Sequence, residues 1–205
     1  MTRRLLLADL GLAAVLRAED GYLTWDAKLA KKLVLAGRVS GQVGKTFDLR
    51  IKSTDRSYNF KVRATWLTPQ IIQALARLEQ ISKSLTAAET QKLVADGKAA
   101  GEIVIQIEID PREGSGIIPS GWVALLGNSP RFVRGVSSPQ LRNLPALAPL
   151  APRDFAYEIF WLVFPNKAED GQPLFSPTDR ETEMSVQIQG KVGKIKFPIP
   201  EYLRP

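Results

Sequence analysis

Residues 58–67 read Tyr58-Asn59-Phe60-Lys61-Val62-Arg63-Ala64-Thr65-Trp66-Leu67, alternating apolar and polar side chains from Phe60 to Trp66. A strand has a side-chain period of two. Phe60, Val62, Ala64 and Trp66 therefore face one way, while Asn59, Lys61, Arg63 and Thr65 face the other. The stretch before it, Phe47-Asp48-Leu49-Arg50-Ile51-Lys52, repeats the pattern with Phe47, Leu49 and Ile51 on one side. Between the two lies Ser53-Thr54-Asp55-Arg56-Ser57, a polar turn. The pair reads as an antiparallel hairpin with one face turned to a core.

Outward from the hairpin, residues 32–40 (KLVLAGRVS) read as a further strand, closed by Gly41-Gln42-Val43-Gly44. On the C-terminal side the period changes. Thr68-Pro69 is an N-cap followed by proline at the first helical position, and Ile71, Ile72, Leu75, Leu78 and Ile81 follow at near-helical spacing. Thr86-Ala87-Ala88-Glu89 is a capping box that opens a second helix, which Gly101 ends. Residues 68–100 thus form a two-helix hairpin inserted between strands. Alternation returns at 102–110, with Ile103, Ile105, Ile107 and Ile109 on one face and Gln106, Glu108 and Asp110 on the other.

Shorter strands are expected near 120–126 and 131–136, followed by a connector at 137–153 that carries Pro139, Pro145, Pro149 and Pro152. Residues 155–164 (FAYEIFWLVF) are apolar on both faces, as in a central strand covered on both sides. Residues 184–189 and 194–199 make a closing hairpin around a turn at Gly190–Gly193. About eight or nine strands with one helical insert predict a mainly β fold: a single antiparallel β-sandwich, immunoglobulin-like or related, over 19–205. A partly open β-barrel is the alternative.

Composition excludes more than it establishes. The chain has 205 residues, no histidine and no cysteine, 28 Lys+Arg against 21 Asp+Glu, and a formal net charge of +7. Ser-His-Asp and Cys-His relays, imidazole-bound metals, disulfides, thiolate nucleophiles and iron–sulfur ligation are all absent from its repertoire. No cofactor is implied. Residues 1–63 hold 13 basic and 6 acidic side chains, so the excess belongs to the N-terminal third.

Residues 1–18 combine Arg3 and Arg4, an apolar run of 12 from Leu5 to Leu16, and Ala18 at the change of polarity. This is the layout of a secretory signal peptide, and the run is shorter than the about 20 residues a spanning helix needs. Asp9 within the run and Leu16 near the cleavage position speak against it and for an amphipathic N-terminal helix. The balance favours export, periplasmic or secreted, with a cytoplasmic domain as the alternative. No second apolar stretch of spanning length follows.

Gly44-Lys45-Thr46 echoes the end of a phosphate-binding loop, but Val39 stands where that loop requires glycine, and a strand pattern follows instead of a helix. Arg50, Lys52, Lys61 and Arg63 point outward from the same hairpin and form the candidate anionic-ligand patch, suited to phosphates, an acidic polysaccharide or an anionic surface. Gln106, Glu108 and Asp110 can lie beside Lys61 and Arg63 and neutralise it. Nucleic acid fits poorly, because Phe60 and Trp66 face inward and leave no outward ring on which bases could stack. Among carboxylates, Asp110 and Glu113 flank a turn with Gly114 and Gly116, where aspartate and glycine usually serve the backbone, and Asp154 and Glu158 bracket the start of the central strand. Trp66, Trp161, Phe155, Phe160 and Phe164 are expected in the core, and Trp25 and Trp122 against a sheet edge.

The function expected is therefore a non-catalytic binding or structural module, exported or envelope-associated. Its rivals are a subunit that docks on a larger assembly through the helical insert or the proline-rich connector, and a carboxylate-dependent envelope hydrolase acting on carbohydrate.

Overall fold

The computed structural model describes residues 20–44, 59–110, 118, 120–148 and 158–205. In chain order these form α1 (Ala27–Ala36), β1 (Arg38–Val43), β2 (Phe60–Trp66), α2 (Pro69–Lys83), α3 (Ala87–Lys98), β3 (Ile103–Asp110), β4 (Val123–Asn128), β5 (Arg131–Arg134), β6 (Val136–Ser137), β7 (Glu158–Phe164), β8 (Glu181–Ile188) and β9 (Lys191–Pro198). The strands make two antiparallel sheets, ordered β1-β2-β3-β7-β6 and β5-β4-β8-β9, and neither closes into a barrel. The strand expected at 47–52, the leader at 1–18, and Glu113, Asp154 and Phe155 lie outside the described residues. Among the described residues, the strand that precedes β2 and pairs with it is β1, in register from Arg38 opposite Thr65 to Val43 opposite Phe60.

The alternation in β2 and β3 has the predicted result. Phe60, Val62, Ala64 and Trp66 are buried beside Ile103, Ile105, Ile107 and Ile109, and across from them lie Leu126, Met184, Val186, Ile188, Ile195 and Phe197. Each such side chain contributes about 1.5–3 kcal/mol by leaving water. Trp66 packs edge-on to Phe197, with ring centroids 5.8 Å apart. Trp122 and Phe160 make a half-buried T-shaped pair at 5.0 Å on the margin of this core.

Residues 32–36 correct the sequence reading, because they belong to α1 and not to a strand. Asp26 caps that helix by accepting from the Leu29 amide at 2.6 Å, and Ala30 and Val34, one turn apart, are its buried residues. A short apolar run such as Leu33-Val34-Leu35-Ala36 fits either period, and here the cap decides it. The strand begins only at Arg38, so Gly41 and Val43 lie inside β1 instead of closing a strand. The final hairpin is corrected in the same way: the turn is Gln189-Gly190, and Gly193 lies within β9.

The two-helix insert appears as predicted, with Thr68 capping α2 and a complete Thr86/Glu89 capping box on α3. It joins β2 to β3, which are neighbours in the sheet. Together with α1 it covers the outer face of the five-stranded sheet. Ala30, Val34, Ile71, Ile72, Leu75 and Val94 form a second core with Val104 and Trp161 from the strands and Leu141 and Leu147 from the connector. The protein is layered helix on sheet on sheet, so β3 and β7 are covered on both faces, as the composition of 155–164 suggests. Trp161 is buried as predicted, but on the helical side.

The proline-rich connector folds into two short 3-10 turns, Pro139–Asn143 and Pro145–Leu147, which pack on this second core. The Leu147 carbonyl accepts two buried donors, Gln106 Nε2 at 3.1 Å and Trp161 Nε1 at 2.9 Å. That double acceptor explains how a glutamine can sit 3% exposed on a covered sheet face without an unmet donor.

At one margin of the sandwich, β1 runs against β9 across the two sheets. A methyl group added to Gly193 would fall 2.4 Å from the Gln42 carbonyl oxygen, and one added to Gly41 would fall 2.6 Å from Ile195 Cγ1. Two glycines thus permit the strands to approach without a ladder between them. At the other margin, β5 passes through Gly135 into β6 and so crosses from one sheet to the other, with the Gly135 amide bonded to Ala124 O at 3.0 Å.

Candidate functional site

Two surfaces qualify as candidates: the basic patch expected from the sequence, and a groove on the opposite side of the molecule. The patch occupies the outer face of the five-stranded sheet. Arg50 and Lys52 lie outside the described residues; Lys61 and Arg63 are on β2, in adjacent cross-strand rows with β3. Arg63 stands opposite Glu108, and Lys61 opposite Asp110. Glu108, 5% exposed, takes Arg38 Nη2 at 2.8 Å on one oxygen and Arg63 Nη1 at 3.4 Å on the other. A nearly buried carboxylate between two guanidiniums is a structural arrangement, because each charge needs the others to be tolerated there. Of the described half of the patch, only Lys61 presents an exposed cation, and it faces a carboxylate across the ladder.

The groove was not anticipated by any sequence motif. It lies on the solvent face of the four-stranded sheet, with a volume of about 400 Å³ and an open mouth. Phe132, Gly127, Glu183 and Lys196 are successive cross-strand neighbours on β5, β4, β8 and β9, so they form one row across the sheet. Gly127 contributes bare backbone to the groove's lining. Its φ of +147° and a would-be Cβ only 2.2 Å from the Arg131 carbonyl oxygen leave room for no side chain there. The row therefore has a ring at one end, bare backbone next to it, and then a carboxylate and an ammonium group.

The polar members are held in place. Lys194, a diagonal neighbour, pairs with Glu183 at 2.8 Å, which leaves Lys196 with no ion pair among the described residues although it is directly opposite Glu183. Asn128 Nδ2 donates to the Glu181 carbonyl at 2.9 Å, fixing the amide at the groove wall. Thr182 borders the groove between the two glutamates. It is 1% exposed, and its hydroxyl has no hydrogen-bond partner. Just beyond, the Ser176 amide, bonded at 2.9 Å, holds the Asp179 carboxyl below its ordinary value, with smaller help from Asn128 and Arg131.

Glu181 and Glu183 both line this groove, and residues two apart on a strand lie on one face at about 7 Å between Cα atoms. Of the carboxylate pairs considered from the sequence, Glu113 and Asp154 lie outside the described residues; Asp110 ends β3 and Glu158 begins β7, away from this groove and at adjoining strand ends, since Ile109 is paired with Glu158. Among the described residues, no group of three or more carboxylates is placed to hold a metal ion. None of their helices is long and apolar enough to cross a membrane. Compared with known proteins, the chain matches no family model, no curated protein and no solved structure.

The groove had a faint signature in the sequence. The alternations Glu181/Glu183 and Lys194/Lys196 are visible as outward-facing pairs, and Gly127 interrupts an otherwise apolar strand. What brings them together is register between strands distant in sequence, which no local pattern encodes.

Proposed function

We propose that this protein is a non-catalytic binding module, exported to the periplasm or secreted, built on a sandwich related to the immunoglobulin type. Its ligand seats in the groove over Gly127. The observation that carries the reading is the row Phe132–Gly127–Glu183–Lys196, in which a ring, an empty backbone position and two opposite charges meet in one open depression. Ligand sites are concave and combine an apolar wall with a few fixed polar groups, typically at volumes of roughly 300–1,000 Å³. Export rests on the charge and apolar layout of residues 1–18.

A docking subunit is the weaker reading. The apolar side chains of the helical insert and of the connector, Ile71, Ile72, Leu75, Leu141 and Leu147, are buried against the chain's own sheet. A hydrolase is the second reading that an observation favours, since Glu181 and Glu183 lie on one face of β8 and line the same groove, as a carboxylate pair must. Against it, Glu183 is already engaged by Lys194. Full-length protein labelled with ¹⁵N, titrated with heparin, neutral oligosaccharides and a mixed peptide library, tests the binding site. Amide shifts clustered at Gly127, Phe132 and Glu183 are expected with one of them, and no shift there with any probe refutes the groove. Release of reducing ends from the oligosaccharides, lost in Glu181→Gln, would move the assignment to hydrolase. N-terminal sequencing of native material tests export, which an intact Met1 or Thr2 start would refute.

A further inference from the structure

We infer that the groove binds a neutral saccharide, with Phe132 as the stacking platform and Glu183, Lys196 and Asn128 as the groups that read hydroxyls. The inference rests on the groove being the ligand site and adds the chemical class of what it holds.

Charge decides first. Glu181 and Glu183 stand against Lys194 and Lys196, so the lining carries no net charge. A polyanion would meet two carboxylates and a polycation two ammonium groups, and either would leave like charges facing each other. A neutral ligand that both donates and accepts at close intervals satisfies both signs. Vicinal hydroxyls of a pyranose do this: one donates to a carboxylate while its neighbour accepts from an ammonium group. Glu183 and Lys196, directly opposite across the β8–β9 ladder, present that acceptor–donor pair side by side. Asn128, pinned by the Glu181 carbonyl, offers its free amide oxygen beside them.

Shape decides next. Phe132 is 42% exposed on the outer face of the sheet, next to a position where no side chain can stand. A pyranose presents a patch of C–H groups on one face, and an exposed aromatic ring with no side chain beside it is a surface that such a patch covers. The row crosses four strands, roughly 14 Å at ordinary strand spacing, which accommodates a disaccharide lying across the sheet. A peptide fits less well, because the β-face here offers no free ladder edge to pair with; the groove lies across the strands and not beside them.

The test uses full-length protein and four probes: cellotetraose, maltotetraose, chitotetraose and heparin. Amide shifts at Gly127, Phe132 and Glu183 are followed in wild type, Phe132→Ala, Lys196→Met and the control Lys61→Met. At least one neutral tetrasaccharide is expected to shift the groove amides at millimolar concentration. Its affinity should fall roughly tenfold in Phe132→Ala and severalfold in Lys196→Met, and stay unchanged in Lys61→Met. Raising salt should not weaken it, whereas an anionic ligand loses affinity steeply. Phe132 and Lys196 are both exposed, and two variants guard against misfolding of one. If heparin alone shifts the groove in a salt-dependent way, the neutral-saccharide inference is wrong and the groove assignment stands. If a neutral sugar binds equally well in both groove variants, the inference fails. If no probe shifts the groove, both fail.

Discussion

Replacing Gly193 by alanine tests how the two sheets meet at the β1/β9 margin. A Cβ at 193 would stand 2.4 Å from Gln42 O and 2.8 Å from Gln42 C, both main-chain atoms. An ordinary contact is 3.4 Å or more, so β9 must withdraw from β1 by about 1 Å, since the nearest atoms are main chain and cannot rotate away, and buried Val43 Cγ2 also stands at 2.8 Å. Overpacking of this kind costs roughly 1–3 kcal/mol, against which alanine recovers up to about 1 kcal/mol of the conformational freedom glycine loses. Because the clash is with main-chain atoms the cost lies at the upper end, and a net destabilisation of about 2 kcal/mol follows. For a domain of this size it lowers Tm by roughly 4–8 °C.

Gly41→Ala on the facing strand is the internal control. There the new methyl meets Ile195 Cγ1 at 2.6 Å and Cδ1 at 3.2 Å, side-chain atoms that can turn, with the nearest main-chain atom, Lys194 O, at 3.5 Å. Its cost should be smaller than that of Gly193→Ala, because a side chain and not the main chain must yield. Equilibrium unfolding in urea, with m-values checked for equality, measures both. A Gly193→Ala protein as stable as wild type, or a Gly41→Ala protein less stable than it, would show that the margin does not hold its strands as described.

Glu108→Gln removes the charge that Arg38 and Arg63 share and should cost about 2 kcal/mol, whereas a Glu108→Met/Arg38→Met double variant should recover much of it; urea midpoints distinguish these. The Glu89 carboxyl is held below its ordinary 4.5 by the Thr86 amide and then the Thr86 hydroxyl. A lowered folded-state value adds stability that is present above pH 4.5 and is lost as pH falls through the folded value. The difference in Tm between wild type and Glu89→Gln should therefore shrink on acidification below that point, and a constant difference from neutral pH down to pH 3 would contradict it. Gln106→Met and Trp161→Phe should each cost about 1 kcal/mol, because the Leu147 carbonyl keeps one donor either way; the double variant should cost more than their sum, as that buried oxygen then has none.

Features written in local chemistry were legible in the sequence. Thr68-Pro69 and the Thr86–Glu89 box place both helices of the insert because capping involves residues three apart, and the isoleucines of β3 place its inner face because alternation is a property of one strand. The misreading of 32–36 came where locality is ambiguous, in an apolar stretch too short to show a period. The covering layer was legible from the doubly apolar 155–164 but not from β3: Gln106 and Glu108 look like solvent-facing residues, and only the Leu147 carbonyl and the two arginines make their burial tolerable. Glu108 was foreseen as the neighbour of Arg63, since a polar face beside a basic one suggests the pairing, but the part of Arg38 was not. The groove depends on Gly127, Glu183 and Lys196 falling in one row, a fact of register.

The two margins of the sandwich bear on how this chain behaves when crowded with copies of itself. An open sandwich presents bare strand edges, each a template for a foreign strand. Here β1 and β9 stand against each other, β5 has four residues before it crosses through Gly135, and β6 has two. Little length of unpaired backbone is left on the described strands for another molecule to copy. Protection at one margin depends on covalent continuity, which persists as long as the chain does, and at the other on close approach alone. Self-association should therefore start at the β1/β9 side, and a Gly193→Ala protein should form thioflavin-positive aggregates under mild conditions where the wild type remains monomeric.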